Sequence, residues 1–195
     1  MIHLPNMVDI NVSPRVASQS IKQYALIGQF PDVDFATLSD DDFRIYKQNY
    51  QVNYTSSEFR PGSYRVAVYR DPIDRFVSAC NHDYHNWNKY PQFDRKPFAF
   101  KTFDELFTHW LDDSFAKHKH YFTQTTFLGS RDQYDLIFNI TQIDNLFLWL
   151  GHNNTKYPRK GELPWRHFDR DQLSVDQIGR LRIIYKDDYD NGWCQ

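Results

Sequence analysis

Glycine is sparse in this chain, with seven in 195 residues and none before Gly28. That excludes a Gly-x-x-x-x-Gly-Lys-Ser/Thr phosphate loop from the N-terminal part of the sequence. Cysteine is scarcer still. Cys80 and Cys194 cannot make a disulfide framework; Cys80 falls on the apolar face of a helical pattern, and Cys194 is a terminal thiol. No apolar run approaches the ~20 residues of a membrane-spanning helix, and the first residues lack the pattern of a signal peptide. Excess charge of one sign is missing too. A net charge of −2 means that any basic patch is local, which disfavours bulk nucleic-acid binding. No internal repeat is visible.

What the chain does have is enough apolar residue for a sizeable core, 41% of 195, so residues 1–195 are expected to form a single domain. Val8-Asp9-Ile10-Asn11-Val12 alternates like a short strand, and Tyr64 to Tyr69 is a mostly apolar run suited to an interior parallel strand. Leu136 to Ile140 reads as another buried strand, and the stretch from Phe30 to Leu38 is expected to hold a short one. The acidic run Asp40-Asp41-Asp42 is expected to start a helix, and helical spacing follows Ser18 and Asp71. It recurs in Phe103, Leu106, Phe107, Trp110 and Leu111, after the capping box Thr102 to Glu105. Ile143, Leu146, Phe147 and Leu150 precede Gly151 at a helix C′ position, and Ser174 to Gln177 is a second capping box, with Leu173 placed to staple onto Ile178. Strands alternating with helices predict an α/β fold with a central parallel sheet and helices on both faces. Gly151 to Arg170 reads as a long polar loop.

Two strand–helix junctions stand out. In the first, Ser13-Pro14-Arg15-Val16-Ala17-Ser18-Gln19-Ser20 follows a strand and opens a helix. A helix start exposes unpaired N–H groups and a partial positive charge. Ser18 and Ser20 add hydroxyls, and Arg15 adds a planar cationic fork. Together they form a cradle for phosphate or sulfate. The same residues also fit an ordinary βα turn with a serine N-cap.

In the second, Arg70 ends a strand, Asp71 can cap the next helix, and Pro72 sits in its first turn. Ile73, Phe76, Val77 and Cys80 form the inward stripe. At roughly 100° per residue, Ser78 lies about 150° away from it, beside Arg75 on the polar face. Arg70 and Ser78 could then hold one phosphate; alternatively, Arg70 pairs with Asp71 or Asp74.

Together the two junctions resemble those of sulfotransferases that use 3′-phosphoadenosine 5′-phosphosulfate (PAPS), specifically the sulfotransferase family 2 type that includes many carbohydrate sulfotransferases. Pro14 to Ser20 is similar to the family's 5′-phosphosulfate loop, and Arg70-Asp71-Pro72-Ile73-Asp74-Arg75-Phe76-Val77-Ser78 to its 3′-phosphate motif. Weaker echoes follow in family order at His120-Tyr121-Phe122-Thr123-Gln124, Tyr134 to Phe138, and Ile184 to Tyr189. The resemblance implies a P-loop-NTPase-like sulfotransferase fold and transfer of a sulfuryl group from PAPS to an acceptor hydroxyl, with adenosine 3′,5′-bisphosphate as product. The family loop usually carries lysine where this chain has Arg15, which keeps the charge but changes its geometry.

On that reading, Arg15 and the amides of Val16, Ala17, Ser18, Gln19 and Ser20 stabilise the sulfuryl group and the leaving phosphate, and Arg70 and Ser78 anchor the 3′-phosphate. Catalysis is positioning and charge stabilisation. The candidate bases are His120, with a suitable ordinary pKa, and Asp34, which would need burial to raise its own. Arg159-Lys160-Gly161 could close over the nucleotide, or be an exposed charged loop. No metal is needed, and His118-x-His120 alone is too little for zinc.

Tyr84, Trp87, Tyr90 and Phe93 could line a groove for a flat acceptor, a saccharide by family resemblance, or simply pack. Two rival readings are a nucleotide-dependent kinase and a nucleotide-binding homologue that has lost turnover. The sequons at Asn11 and Asn139 adjoin the sulfate loop and a buried strand, where a glycan is hard to fit. A cytoplasmic protein of bacterial or viral type is therefore expected, unless a Golgi anchor precedes the chain.

Overall fold

The computed structural model describes residues 1–4, 6–27, 30, 32–34, 37–49, 58–89, 100–109, 118–151 and 166–194. In chain order the elements are β1 (Ile2–Leu4), β2 (Val8–Val12), α1 (Ser18–Ile27), α2 (Asp40–Asn49), β3 (Tyr64–Tyr69), α3 (Pro72–Lys89), α4 (Phe103–His109), α5 (Gln124–Leu128), β4 (Leu136–Asn139), α6 (Ile143–Trp149), α7 (Val175–Ile184) and α8 (Lys186–Asp190). The fold is α/β. Contacts group it into two compact units, Met1–Tyr69 with Ser130–Glu162 and Arg70–Gly129 with Leu163–Gln195.

The first unit holds a four-stranded sheet in the order β1-β2-β3-β4. β2, β3 and β4 are parallel, and β1 runs antiparallel to β2. The sheet is thus mostly rather than wholly parallel, since a three-residue strand is too short for periodicity to announce. Ile10, Val12, Val66 and Val68 share a core with Ile21 and Ala25 of α1 and with Leu146 and Phe147 of α6. Gly151 has φ 97°, as a C′ glycine should.

Three strand expectations are corrected. Residues 30–38 form no strand among the described residues: Val33 N–H donates to the Phe30 carbonyl and Thr37 N–H to that of Asp34, so the segment turns. β4 is a half-buried edge strand, not a buried one. β2 does not alternate, because Asp9 is fully buried. Its Oδ2 accepts from the Arg60 N–H and the Ser63 hydroxyl, and its Oδ1 from Arg60 Nε, each at 2.7 Å. His3 Nδ1 lies 2.7 Å from Oδ1 as well. A buried carboxylate so fully paired no longer needs solvent.

The second unit is helical. Ile73, Phe76, Val77 and Cys80 of α3 pack with Phe103 and Phe107 of α4, Tyr121, and Leu181 of α7. Leu173 and Ile178 join the same cluster. The Ser174–Gln177 capping box forms. At α4, Thr102 Oγ1 accepts from the Glu105 N–H, but the Glu105 carboxylate reaches Lys101 N–H at 2.7 Å, one residue upstream of the expected partner. Trp110 and Leu111 lie outside the described residues.

Arg75 is the main correction here. It is fully buried, not on the polar face with Ser78. Its guanidinium donates to the carbonyls of His120, at 3.0 Å, and Phe122, and lies 5.4 Å from the centroid of the Tyr185 ring. Helical periodicity places a residue on a face; it does not say what another segment brings to that face.

Candidate functional site

β2 and β3 are parallel neighbours, with Val12 beside Val68, so both leave the sheet at the same edge. After β2 the chain enters Ser13 to Ala17. Ile21 N–H donates to the Ala17 carbonyl at 3.0 Å, which makes Ala17 the N-cap and Ser18 the first residue of α1. The serine N-cap of an ordinary turn is thus replaced by a residue with no side-chain oxygen, and α1 has no acidic residue in its first turn.

The loop itself is strained. Arg15 has φ 69° and Ala17 φ 43°, whereas Val16 between them keeps a negative φ. Non-glycine residues rarely adopt positive φ, at a cost of about 1 kcal/mol or more each. Alternation of sign along successive residues is the pattern that turns backbone N–H groups into an anion-binding concavity. Val16 is fully buried and holds the loop against the core. Ser18 and Ser20 are half-buried at the start of α1. Of Gln19, the backbone in α1 is described.

In the second unit, Arg70 precedes α3 and is half-buried. Burial lowers the pKa of its guanidinium from the ordinary value, although arginine remains charged. Asp71 and Asp74 do not neutralise it by ion pairing. Both instead bind Arg170 Nη1, at 3.1 and 2.8 Å, and among the described residues no ion pair involves Arg70. Asp71 Oδ1 also accepts from the N–H groups of Ile73 and Asp74, as its capping role predicts. Ser78 lies half-buried one turn beyond Asp74.

Arg70 is held by a residue whose role was not legible from the chain. The fully buried Gln124 side chain accepts from Arg70 N–H at 3.0 Å and donates to the Arg70 carbonyl at 2.7 Å. The resemblance of residues 120–124 to a family stretch was the only signal of it.

His120 is half-buried, with Nδ1 3.3 Å from Asp83 Oδ1. Asp83 is also approached by His82 Nδ1, at 3.1 Å, and accepts from the Tyr121 hydroxyl at 2.8 Å. Burial pushes the Asp83 pKa up, but hydrogen bonds from His120 and His82 outweigh it and hold the carboxyl well below the usual range. A hydrogen bond donated by His120 Nδ1 to this carboxylate would leave Nε2 as the unprotonated ring nitrogen. Asp34 is exposed, without the burial that a carboxylate base required.

Tyr84 stacks on His167, with centroids 4.0 Å apart and planes 8° from parallel, and packs against the core. Tyr90, Phe93 and the loop residues Arg159, Lys160 and Gly161 lie outside the described residues, as does the side chain of Trp87. Comparison of the chain with family models, curated proteins and solved structures finds no match.

Proposed function

We propose that the protein is a PAPS-dependent sulfotransferase, with a P-loop-NTPase-like sulfotransferase fold. The observation that carries this reading is the charge state around Arg70. Its half-buried guanidinium has no ion-pair partner among the described residues, because Arg170 takes the adjacent carboxylates of Asp71 and Asp74. An arginine desolvated in this way gains most from a doubly charged phosphate, which accepts bidentately from its fork.

The Ser13 to Ala17 loop supports the other half of the reading. Two positive φ angles outside glycine are kept where backbone donors can gather on an anion. Arg15 with the amides of residues 16–20 takes the 5′-phosphosulfate, and Arg70 with Ser78 takes the 3′-phosphate. As the bond to sulfur breaks, Arg15 and the first-turn amides of α1 stabilise the charge building on the leaving phosphate oxygen. His120, oriented by Asp83, removes the acceptor proton through Nε2. The acceptor is a hydroxyl compound, a saccharide by resemblance.

Calorimetry with adenosine 3′,5′-bisphosphate against ADP tests the donor. Tighter binding of the bisphosphate is expected, with a loss of about 10- to 100-fold in Arg70→Ala, as for a charge-assisted hydrogen bond. Preference for ADP would overturn the reading and favour a kinase. Transfer of labelled sulfate from PAPS by the unaltered protein would exclude a homologue that only binds.

A further inference from the structure

Three histidines and one aspartate converge in the second unit. His82 and Asp83 are neighbours on α3, and His118 and His120 arrive from the segment that Arg75 ties down through the carbonyls of His120 and Phe122. We infer that His82, Asp83 and His120, with His118 close by, form a binding site for a divalent transition metal of the zinc class.

The geometry argues first. One ligand atom each from His82, Asp83 and His120 can be chosen so that all three lie within 4.8 Å of one another. Asp83 Oδ1 is 3.1 Å from His82 Nδ1 and 3.3 Å from His120 Nδ1. Tetrahedral zinc, with bonds of roughly 2.0–2.1 Å to nitrogen and oxygen, places its ligand atoms about 3.3 Å apart. Small side-chain shifts thus suffice to admit the ion. His118 Nδ1 stands 3.9 Å from Asp83 Oδ2, and its ring centroid is 4.7 Å from that of His120.

The chemistry agrees. Imidazole with one carboxylate suits zinc, nickel or copper, whereas magnesium and calcium favour oxygen ligands. The buried Tyr121 hydroxyl donates to Asp83 Oδ2 and so turns Oδ1 toward His82 and His120, the outer-sphere support that metal sites require. Partly exposed imidazoles leave a path for entry.

The site does not depend on sulfuryl transfer. If the transfer reading holds, a metal on Nδ1 of His120 leaves Nε2 protonated, and zinc would then inhibit by removing the base.

The test is titration of the full chain with Co²⁺ near neutral pH, read from the visible band of tetrahedral cobalt and displaced by Zn²⁺. One saturable equivalent is expected. His82→Gln and His120→Gln should each weaken it by more than the roughly 10- to 100-fold that loss of an outer partner costs, and Tyr121→Phe by about 10-fold. Cys194→Ser should leave it unchanged. A second readout needs no variant: Zn²⁺ should shift the imidazole NMR signals of His82, His118 and His120 but not those of His3 and His167. Absence of saturable binding, or shifts confined to other histidines, would overturn the proposal. So would unchanged affinity in a folded His82→Gln/His120→Gln protein. Binding without inhibition would count against His120 as base while leaving the metal site intact.

Discussion

The side-chain amide of Gln124 pairs with both backbone groups of Arg70, 54 positions earlier, accepting at 3.0 Å and donating at 2.7 Å. Its Nε2 also lies 3.3 Å from the Trp193 carbonyl. One buried amide thus imitates a strand neighbour just where β3 has ended. Gln124→Leu should lower the free energy of unfolding by about 2–3 kcal/mol, because orphaned buried donors and acceptors retain their desolvation cost. Urea unfolding measures that loss. Calorimetry should show a parallel weakening for adenosine 3′,5′-bisphosphate.

Ala17 occupies a conformation that glycine adopts freely, φ 43°. Ala17→Gly should therefore stabilise the fold, by up to about 1 kcal/mol, despite the greater freedom of glycine in the unfolded chain. The urea midpoint reports the change. A lower midpoint would mean that the loop is not strained at this residue.

Asp9 makes stability depend on acid. Burial pushes its pKa up, but bonds from His3, Arg60 and Ser63 overcome this and bring it down to about 2. An unfolded chain has an aspartate near the ordinary value of about 3.9. The unfolded state then binds more protons between those values, so the contribution of Asp9 is complete above about pH 4 and fades as pH falls toward 2. Urea unfolding between pH 5 and pH 2 should show a steeper decline in the wild type than in Asp9→Asn.

Arg75 should act on stability more than on nucleotide affinity. Its removal in Arg75→Leu frees the carbonyls of His120 and Phe122 and takes a cation from the vicinity of the buried Asp188. A loss of about 1–3 kcal/mol for each carbonyl left without a partner is expected. Comparison of urea unfolding with bisphosphate binding separates this from Arg70→Ala, where affinity falls and stability does not.

Much of the local structure was legible in the chain. Spacing gave away the inward faces of α3, α4 and α6. The Ser174–Gln177 box and Gly151 marked real helix ends, because cap chemistry involves residues only a few positions apart. The strand–helix junctions at Ser13 to Ser20 and Arg70 to Ser78 were visible for the same reason. Asp9 and Arg75 were misjudged because periodicity assigns polar residues to solvent, whereas Arg60 and the His120–Phe122 carbonyls satisfy them inside.

By itself the sequence determined the strands β2 to β4, the helices α1 to α4, α6 and α7, and the junctions that carry cation and hydroxyl, since φ/ψ preference, apolar period and capping are properties of a few successive residues. Only the tertiary structure decided that Gln124 holds Arg70, that Arg170 takes Asp71 and Asp74, and that His82, Asp83, His118 and His120 share one place. The separate segments that supply those partners are far apart in sequence, Asp83 lying 37 positions before His120 and Asp71 99 before Arg170. Burial selects such pairings, because a polar group taken from water must find its complement wherever the packed chain supplies one.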